Sequence, residues 1–241
     1  MKIIDCSDYD EMSHLASNSV LAELKNNTDQ LFCTATGSSP IGLYKNLALA
    51  YQDNAQYFQA VRILMLDEWH GLPAGDPASC DSYIKEHVLG PLSIPSERYF
   101  SFRNNAPEPE KECERMEAII SQQGPIDICI LGIGMNGHLG FNEPSTELTP
   151  GCHVATLSAD SKEHAMISGS ASKPEFGLTL GIKAILDSKK IILLLTGPSK
   201  KEVIKDLLAK KISTQLPASL LWHHSNVECY VDQLSATSSY P

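Results

Sequence analysis

The chain has 241 residues, 19 Lys plus Arg against 29 Asp plus Glu for a formal net charge of −10, with 42% hydrophobic and 20% charged residues. Such values suit one α/β domain with a full core. The acidic balance argues against nucleic-acid partners and cationic attachment to membranes.

In chain order, residues 9–25 read as a first helix, with Met12, Leu15, Val20, Leu21 and Leu24 near helical spacing. Residues 31–35 read as a strand, and Pro40 to about Ala50 as a helix with Pro in its first turn. A strand over 61–66, helices over 79–89 and 108–121, and a buried strand over 126–131 follow. After a Gly/Pro-rich loop to about Gly151, strands are expected at 153–157 and 176–180, with a helix over 161–167 between them. The apolar strand 191–195, a helix over 198–210 and a strand near 227–231 complete the pattern. Residues 1–234 are expected to form a single domain and 235–241 a flexible tail. Runs such as Ile191-Ile192-Leu193-Leu194-Leu195 suit strands covered on both faces, hence a three-layer Rossmann-like fold whose central sheet is mostly parallel.

No apolar run approaches the roughly 18–20 residues that span a bilayer, and the start MKIIDCSDYDEMSH has no signal-peptide pattern. The seven cysteines form no Cys-x-x-Cys pair and sit largely in apolar runs, as free thiols do in a reducing compartment. A cytoplasmic protein is expected. His223-His224 has no third ligand at metal spacing, so no metal is expected.

In a parallel sheet the ligand lies beyond the carboxyl ends of the strands, and four strand ends carry chemistry. Thr36-Gly37-Ser38-Ser39-Pro40 joins a strand to a helix; its small residues and free N–H groups suit a phosphate, the alternative being a plain turn with a Ser cap. Leu195-Thr196-Gly197-Pro198-Ser199-Lys200 repeats that arrangement, with Lys200 where a cation is unfavourable unless an anion is near; a solvated lysine is the alternative. Leu66-Asp67-Glu68-Trp69 places a carboxylate in the ligand crevice, for acid/base work or as a loop cap.

The fourth end is Gly132-Ile133-Gly134-Met135-Asn136-Gly137-His138-Leu139-Gly140-Phe141-Asn142-Glu143-Pro144. Its G-x-G-x-x-G mimics a dinucleotide fingerprint, with Asp160 near the ribose offset. A helix should then open at Gly137, yet Gly140, Pro144, Pro150 and Gly151 break the segment, so that reading is rejected. What remains is a glycine-lined loop presenting His138 and Glu143, a pair suited to proton transfer; a buried structural histidine is the alternative. Residues 132–151 are also the natural candidates for a lid, or for a rigid site loop.

These four segments, in this order, resemble the glucosamine-6-phosphate deaminase/isomerase family, which shares its fold with 6-phosphogluconolactonases. Gly-His-x-x-Phe-Asn-Glu-Pro (137–144) is the most specific match, and Asn142-Glu143-Pro144 favours the deaminase side. Within the family the chain looks closest to the galactosamine-6-phosphate isomerase/deaminase branch, on Leu66 to Trp69, Asn136 to Gly140, and Pro217-Ala218-Ser219 with Leu221-Trp222 and His224-Ser225-Asn226.

The resemblance implies conversion of an amino-sugar 6-phosphate and water to a ketose 6-phosphate and ammonia, without a cofactor. Asp67 would move a proton from carbon 2 to carbon 1, His138 would assist ring opening, and Glu143 would orient His138. Thr36, Gly37, Ser38, Ser39 and Lys200 would hold the phosphate, with Glu68, Gly134 and Gly137 also at the substrate. Two departures stand out. Asn136 replaces an Asp of the glucosamine-type enzymes and stabilises an imidazolium less, so a shifted pH–rate profile is expected. The Arg expected after the loop has no match; Lys162, His164 and Lys173 are the basic residues of 161–173, and Lys173 is the substitute. The basic pair of the allosteric site in some deaminases has no counterpart near His153 and Ala155, so no such activation is expected. The rivals are lactone hydrolysis and a sugar-phosphate sensor, which would need an added DNA-binding module. The expected partner is a small phosphorylated amino sugar, and the sequence leaves room for a homo-oligomer.

Overall fold

Six consecutive residues, Lys190–Leu195, are buried without exception, which requires a strand covered on both faces. The computed structural model describes residues 1–162, 166–167, 170, 173–174 and 176–233. The elements run β1 (Lys2–Cys6), α1 (Tyr9–Asn26), β2 (Leu31–Thr34), α2 (Ser38–Asn54), β3 (Arg62–Met65), β4 (Asp67–Trp69) and α3 (Cys80–Ile84). They continue with β5 (Tyr99–Phe100), α4 (Pro109–Gln123), β6 (Ile128–Leu131), β7 (His153–Thr156), α5 (Ala159–Lys162) and β8 (Phe176–Thr179). α6 (Ile182–Leu186), β9 (Lys190–Leu195), α7 (Lys201–Leu208) and β10 (Val227–Asp232) complete the chain.

Seven strands form one sheet in the order β1-β10-β9-β6-β2-β3-β5, and every pairing is parallel. This is an α/β fold with helices on the sheet faces. From β2 the chain steps outward through β3 to β5, then returns to lay β6 on the other side of β2. The strand order therefore reverses between β2 and β6, and a crevice opens at such a switch point.

The strands expected at 153–157 and 176–180 do not enter this sheet. They pair antiparallel as β7 and β8, and β8 also pairs with β4, giving a second sheet of order β4-β8-β7. Asp67–Trp69, read from sequence as a loop after a strand, is thus itself a strand, with Asp67 opposite Thr179. Among the other differences, β1, β5 and α6 carry too few residues for a visible period, and the helix expected over 79–89 is α-helical only to Ile84, with a π turn over Lys85–Leu89. The helix expected over 161–167 begins earlier, at Ala159; its residues 163–165, His164 among them, and the tail 235–241 lie outside the described residues. Among the described residues no helix is long and apolar enough to cross a membrane.

Candidate active site

A cavity of about 390 Å³ opens at the carboxyl ends of β2, β3, β6 and β9, lined among others by Thr36, Asp67, Gly134, His138 and Lys200. That volume is in the range of small-molecule sites. At one end two strand-to-helix turns meet. Gly37 caps α2 with φ of 94°, a conformation that side-chain-bearing residues rarely adopt, and Thr36, Gly37, Ser38 and Ser39 all line the cavity. Lys200 crosses from the turn after β9 to bring its Nζ within 3.4 Å of Ser39 Oγ. Burial pulls the Lys200 ammonium down from its ordinary pKa, and among the described residues no carboxylate pairs with it. A half-buried cation facing hydroxyls and the start of a helix is a site prepared for an anion.

The other end holds the acid/base groups. Asp67, 8% exposed, lines the cavity, and among the described residues no donor reaches its carboxylate. Burial, with the charge of Glu68 adding to it, pushes its carboxyl up to about 7. The loop after β6 passes close by: a Cβ on Gly140 would lie 3.4 Å from Asp67 Oδ2. At Gly134 a Cβ would fall 2.3 Å from ring atoms of His138, so the imidazole lies where only glycine leaves room.

His138 Nδ1 lies 3.3 Å from Glu143 Oε2. The same oxygen accepts from Asn136 Nδ2 at 2.8 Å, and Asn136 Oδ1 accepts from the His138 backbone N–H at 3.2 Å. Glu143 Oε1 accepts from Ser161 Oγ at 2.5 Å and from the Ser158 N–H at 3.3 Å. Burial alone would push the Glu143 carboxyl up, but His138, Ser161 and Asn136 together hold it at about 2. An ionised carboxylate thus orients the imidazole, and Asn136 acts as a donor to that carboxylate where an Asp would repel it.

The positions expected at the site divide accordingly. Thr36, Gly37, Ser38, Ser39, Lys200, Asp67, Gly134 and His138 share the cavity, with Glu143 and Asn136 directly behind His138. Glu68 does not face it. Successive side chains of a strand point to opposite faces, and Glu68 is fully buried on the far side of β4, its oxygens taken by the N–H groups of Trp69, Cys80 and Asp81. Gly137 faces Leu216, whose Cδ1 would lie 2.2 Å from an added Cβ, and it does not line the cavity. Lys173 is exposed and outside the lining. No helix opens at Gly137, in keeping with rejection of the dinucleotide reading. Residues 132–142 are stitched by Gly134 N–H to His138 O, Asn142 N–H to Leu139 O and Ala218 N–H to Gly137 O, bonds that suit the rigid-loop alternative over this part of 132–151.

Sequence reasoning missed Ser161, whose only signal was its place at a helix start. It also missed the wall formed by Trp69 and Phe141, ring centroids 4.5 Å apart, and Cys80, which lines the cavity 3.6 Å from Thr36 Oγ1. Among the described residues no group of three His, Cys, Asp or Glu side chains is placed to hold a metal ion. The arrangement can anchor an anion at one end of a small molecule and move protons at the other.

Comparison with known proteins fits this geometry. The family model described as glucosamine-6-phosphate isomerases/6-phosphogluconolactonase matches residues 8–231. Glucosamine-6-phosphate deaminase 1 of Bacillus subtilis (strain 168) is 37% identical over 98% of this chain and 99% of its own. The Escherichia coli (strain K12) protein named "Putative deaminase AgaI" is 36% identical over 93% of this chain and 89% of its own. The solved structure of a monomeric glucosamine-6-phosphate deaminase superposes with a TM-score of 0.94 at 36% identity, covering 99% of this chain and 100% of that one.

Proposed function

The chain belongs to the glucosamine-6-phosphate isomerase/6-phosphogluconolactonase family and is an amino-sugar 6-phosphate deaminase/isomerase; from that premise we propose that its substrate is galactosamine 6-phosphate, converted with water to tagatose 6-phosphate and ammonia. The galacto preference is supported by the resemblance of Leu66 to Trp69, Asn136 to Gly140 and Pro217 to Ser219 to the galactosamine-6-phosphate isomerase/deaminase branch.

The observation that carries the mechanism is the presence, in one cavity, of a buried carboxylate that no donor reaches and a half-buried cation that no carboxylate pairs with, among the described residues. In the proposed sequence the phosphate lies against residues 36–39 and Lys200, and its binding energy fixes the sugar for the chemistry. His138, oriented by Glu143, moves the proton that opens the ring. Asp67 then takes the proton from carbon 2 and returns it to carbon 1 through an enolamine. The aldehyde freed at carbon 1 by ring opening acidifies carbon 2, and hydrolysis of the ketimine formed from the enolamine releases ammonia. The reaction balances without a redox cofactor. The seven free cysteines support a reducing, cytoplasmic setting.

Ammonia release from galactosamine 6-phosphate and glucosamine 6-phosphate, with 6-phosphogluconolactone hydrolysis in parallel, tests the reading. The expected result is ammonia from both amino sugars, with the higher kcat/KM on the galacto epimer. Activity confined to the gluco epimer would remove the galacto assignment, and lactone hydrolysis alone would remove the deaminase mechanism.

A further inference from the structure

We propose that Glu68 is a positioning residue for this deamination, an interior anion clamped by backbone N–H groups whose charge, one residue from Asp67, keeps Asp67 basic enough to take a proton from carbon. The proposal rests on the assignment of Asp67 as the general base.

The geometry is specific. Glu68 is fully buried between β4 and α3. Its Oε1 accepts from Trp69 N–H at 2.8 Å and Cys80 N–H at 2.9 Å, and its Oε2 accepts from Asp81 N–H at 2.8 Å. Cys80 and Asp81 are the first two residues of α3, so the side chain also pins that helix to the strand carrying Asp67. All three partners are donors, and a protonated carboxyl would place its own hydrogen among them. The anion is therefore the form that fits. Among the described residues no Lys, Arg or His reaches Glu68, so N–H dipoles alone offset its charge.

Among the described residues Asp67 has no donor of its own. Around it stand Cys33 on β2, Tyr44 on α2, Cys80 on α3, Glu68 on β4 and His138 across the cavity. Burial keeps Cys33, Tyr44 and Cys80 neutral, which leaves Glu68 as the carboxylate that acts on Asp67 from within the fold. Farther out, Asp81 stands beside Glu68 and is paired with Lys85 at 2.6 Å, and the buried Tyr99 hydroxyl faces the same carboxyls. Burial pushes both Asp67 and Glu68 up, while three N–H donors pull only Glu68 back. Both reach about 7, and the donors on Glu68 alone favour it as the first of the pair to ionise, so that Asp67 gives up its proton beside a negative charge already in place.

Glu68→Gln and Glu68→Asp separate charge from shape. The glutamine Oε1 keeps the Trp69 and Cys80 bonds, and only the Asp81 N–H meets a donor. In Glu68→Gln the acid limb of kcat/KM should move down by about one pH unit as the like charge is lost, and the plateau kcat should fall about tenfold with the weaker base. In Glu68→Asp, which keeps the charge, the limb should stay near its wild-type position. A merely structural Glu68 would lower kcat in both variants and leave both limbs unmoved, and that result would overturn the proposal. The second reading is a ¹³C NMR titration of the Asp67 carboxyl in the wild-type protein, in Glu68→Asp and in a charge-free variant, Glu68→Gln or, if that does not fold, Glu68→Met. A lower midpoint in the charge-free variant than in the two charged forms supports the proposal, and one midpoint shared by all three overturns it. If the wild-type protein releases no ammonia, the functional reading fails, while the NMR titration still reports whether Glu68 acts on Asp67.

Discussion

At the scale of single residues, Asp67 works against the fold that holds it. Its carboxyl is raised from 3.8 to about 7 in the folded chain, so the native state binds this proton more tightly than the unfolded state does. The associated stability is fully present below about pH 4 and is lost as pH rises through about 7. Asp67→Asn should therefore abolish turnover yet raise the melting temperature at pH 8, by about 2–4 °C for each kcal/mol recovered, with a smaller gain at pH 5. Melting curves at the two pH values check this; an unchanged or lower melting temperature at pH 8 would contradict it. Glu143 behaves in the opposite sense. Held at about 2 against 4.5, it contributes stability above about pH 4.5 that is lost as the pH falls toward 2.

Asn136→Asp would set a second carboxylate against Glu143 Oε2, where Asn136 Nδ2 now lies at 2.8 Å. A loss of about 1–3 kcal/mol in urea unfolding at pH 8 is expected, shrinking at pH 4 as one carboxyl takes a proton; equal stability at both pH values would contradict it. Lys200→Ala removes a cation from the proposed phosphate end and should lower kcat/KM by about 10–100-fold, chiefly through KM. Thermal stability should hold, because the folded chain already disfavours the buried cation. Steady-state kinetics with a parallel melting curve check both halves of the prediction.

At the scale of elements, the loop after β6 sets the position of the imidazole. A Cβ at Gly134 would lie 2.3 Å from the His138 ring, while the stitching of residues 132–142 does not involve the missing side chain. Gly134→Ala should push the ring off its position and lower kcat by about 100-fold with little change in circular dichroism; an active variant would remove His138 from the chemistry. The strand ends were legible in the sequence because small residues next to a buried run have few other uses. Long periodic α1 and α4 and apolar β6 and β9 were legible for the same kind of local reason. β4 was not: Asp67–Trp69 becomes a strand by pairing with β8, more than 100 residues away, and a local window cannot see that partner. Misreading it as a loop hid the alternation that turns Asp67 into the cavity and Glu68 into the core. Ser161 escaped similarly, since only tertiary packing brings it to Glu143, 18 residues earlier.

At the scale of the whole molecule, a net charge of −10 surrounds a site prepared for an anion. At physiological ionic strength charges beyond about 8 Å are largely screened, so the surface neither helps nor strongly hinders capture, and Lys200 with the turn after β2 must supply the attraction. The parallel sheet makes this economical, because the reversal between β2 and β6 opens one crevice into which four strand ends project. In the proposed mechanism, phosphate anchoring and proton transfer belong to opposite ends of this cavity of about 390 Å³.

The central claim is that this cavity deaminates an amino-sugar 6-phosphate by proton transfer through Asp67. Incubation of galactosamine 6-phosphate with the protein in D₂O, with mass spectrometry of the ketose phosphate and assay of ammonia, tests it most directly. The account predicts equimolar ammonia and ketose phosphate, deuterated at carbon 1 in those turnovers in which the proton held on Asp67 exchanges with solvent before its return, and neither product from Asp67→Asn. Ammonia and deuterated ketose from Asp67→Asn at the wild-type rate, or no ammonia from the wild-type protein, would contradict it.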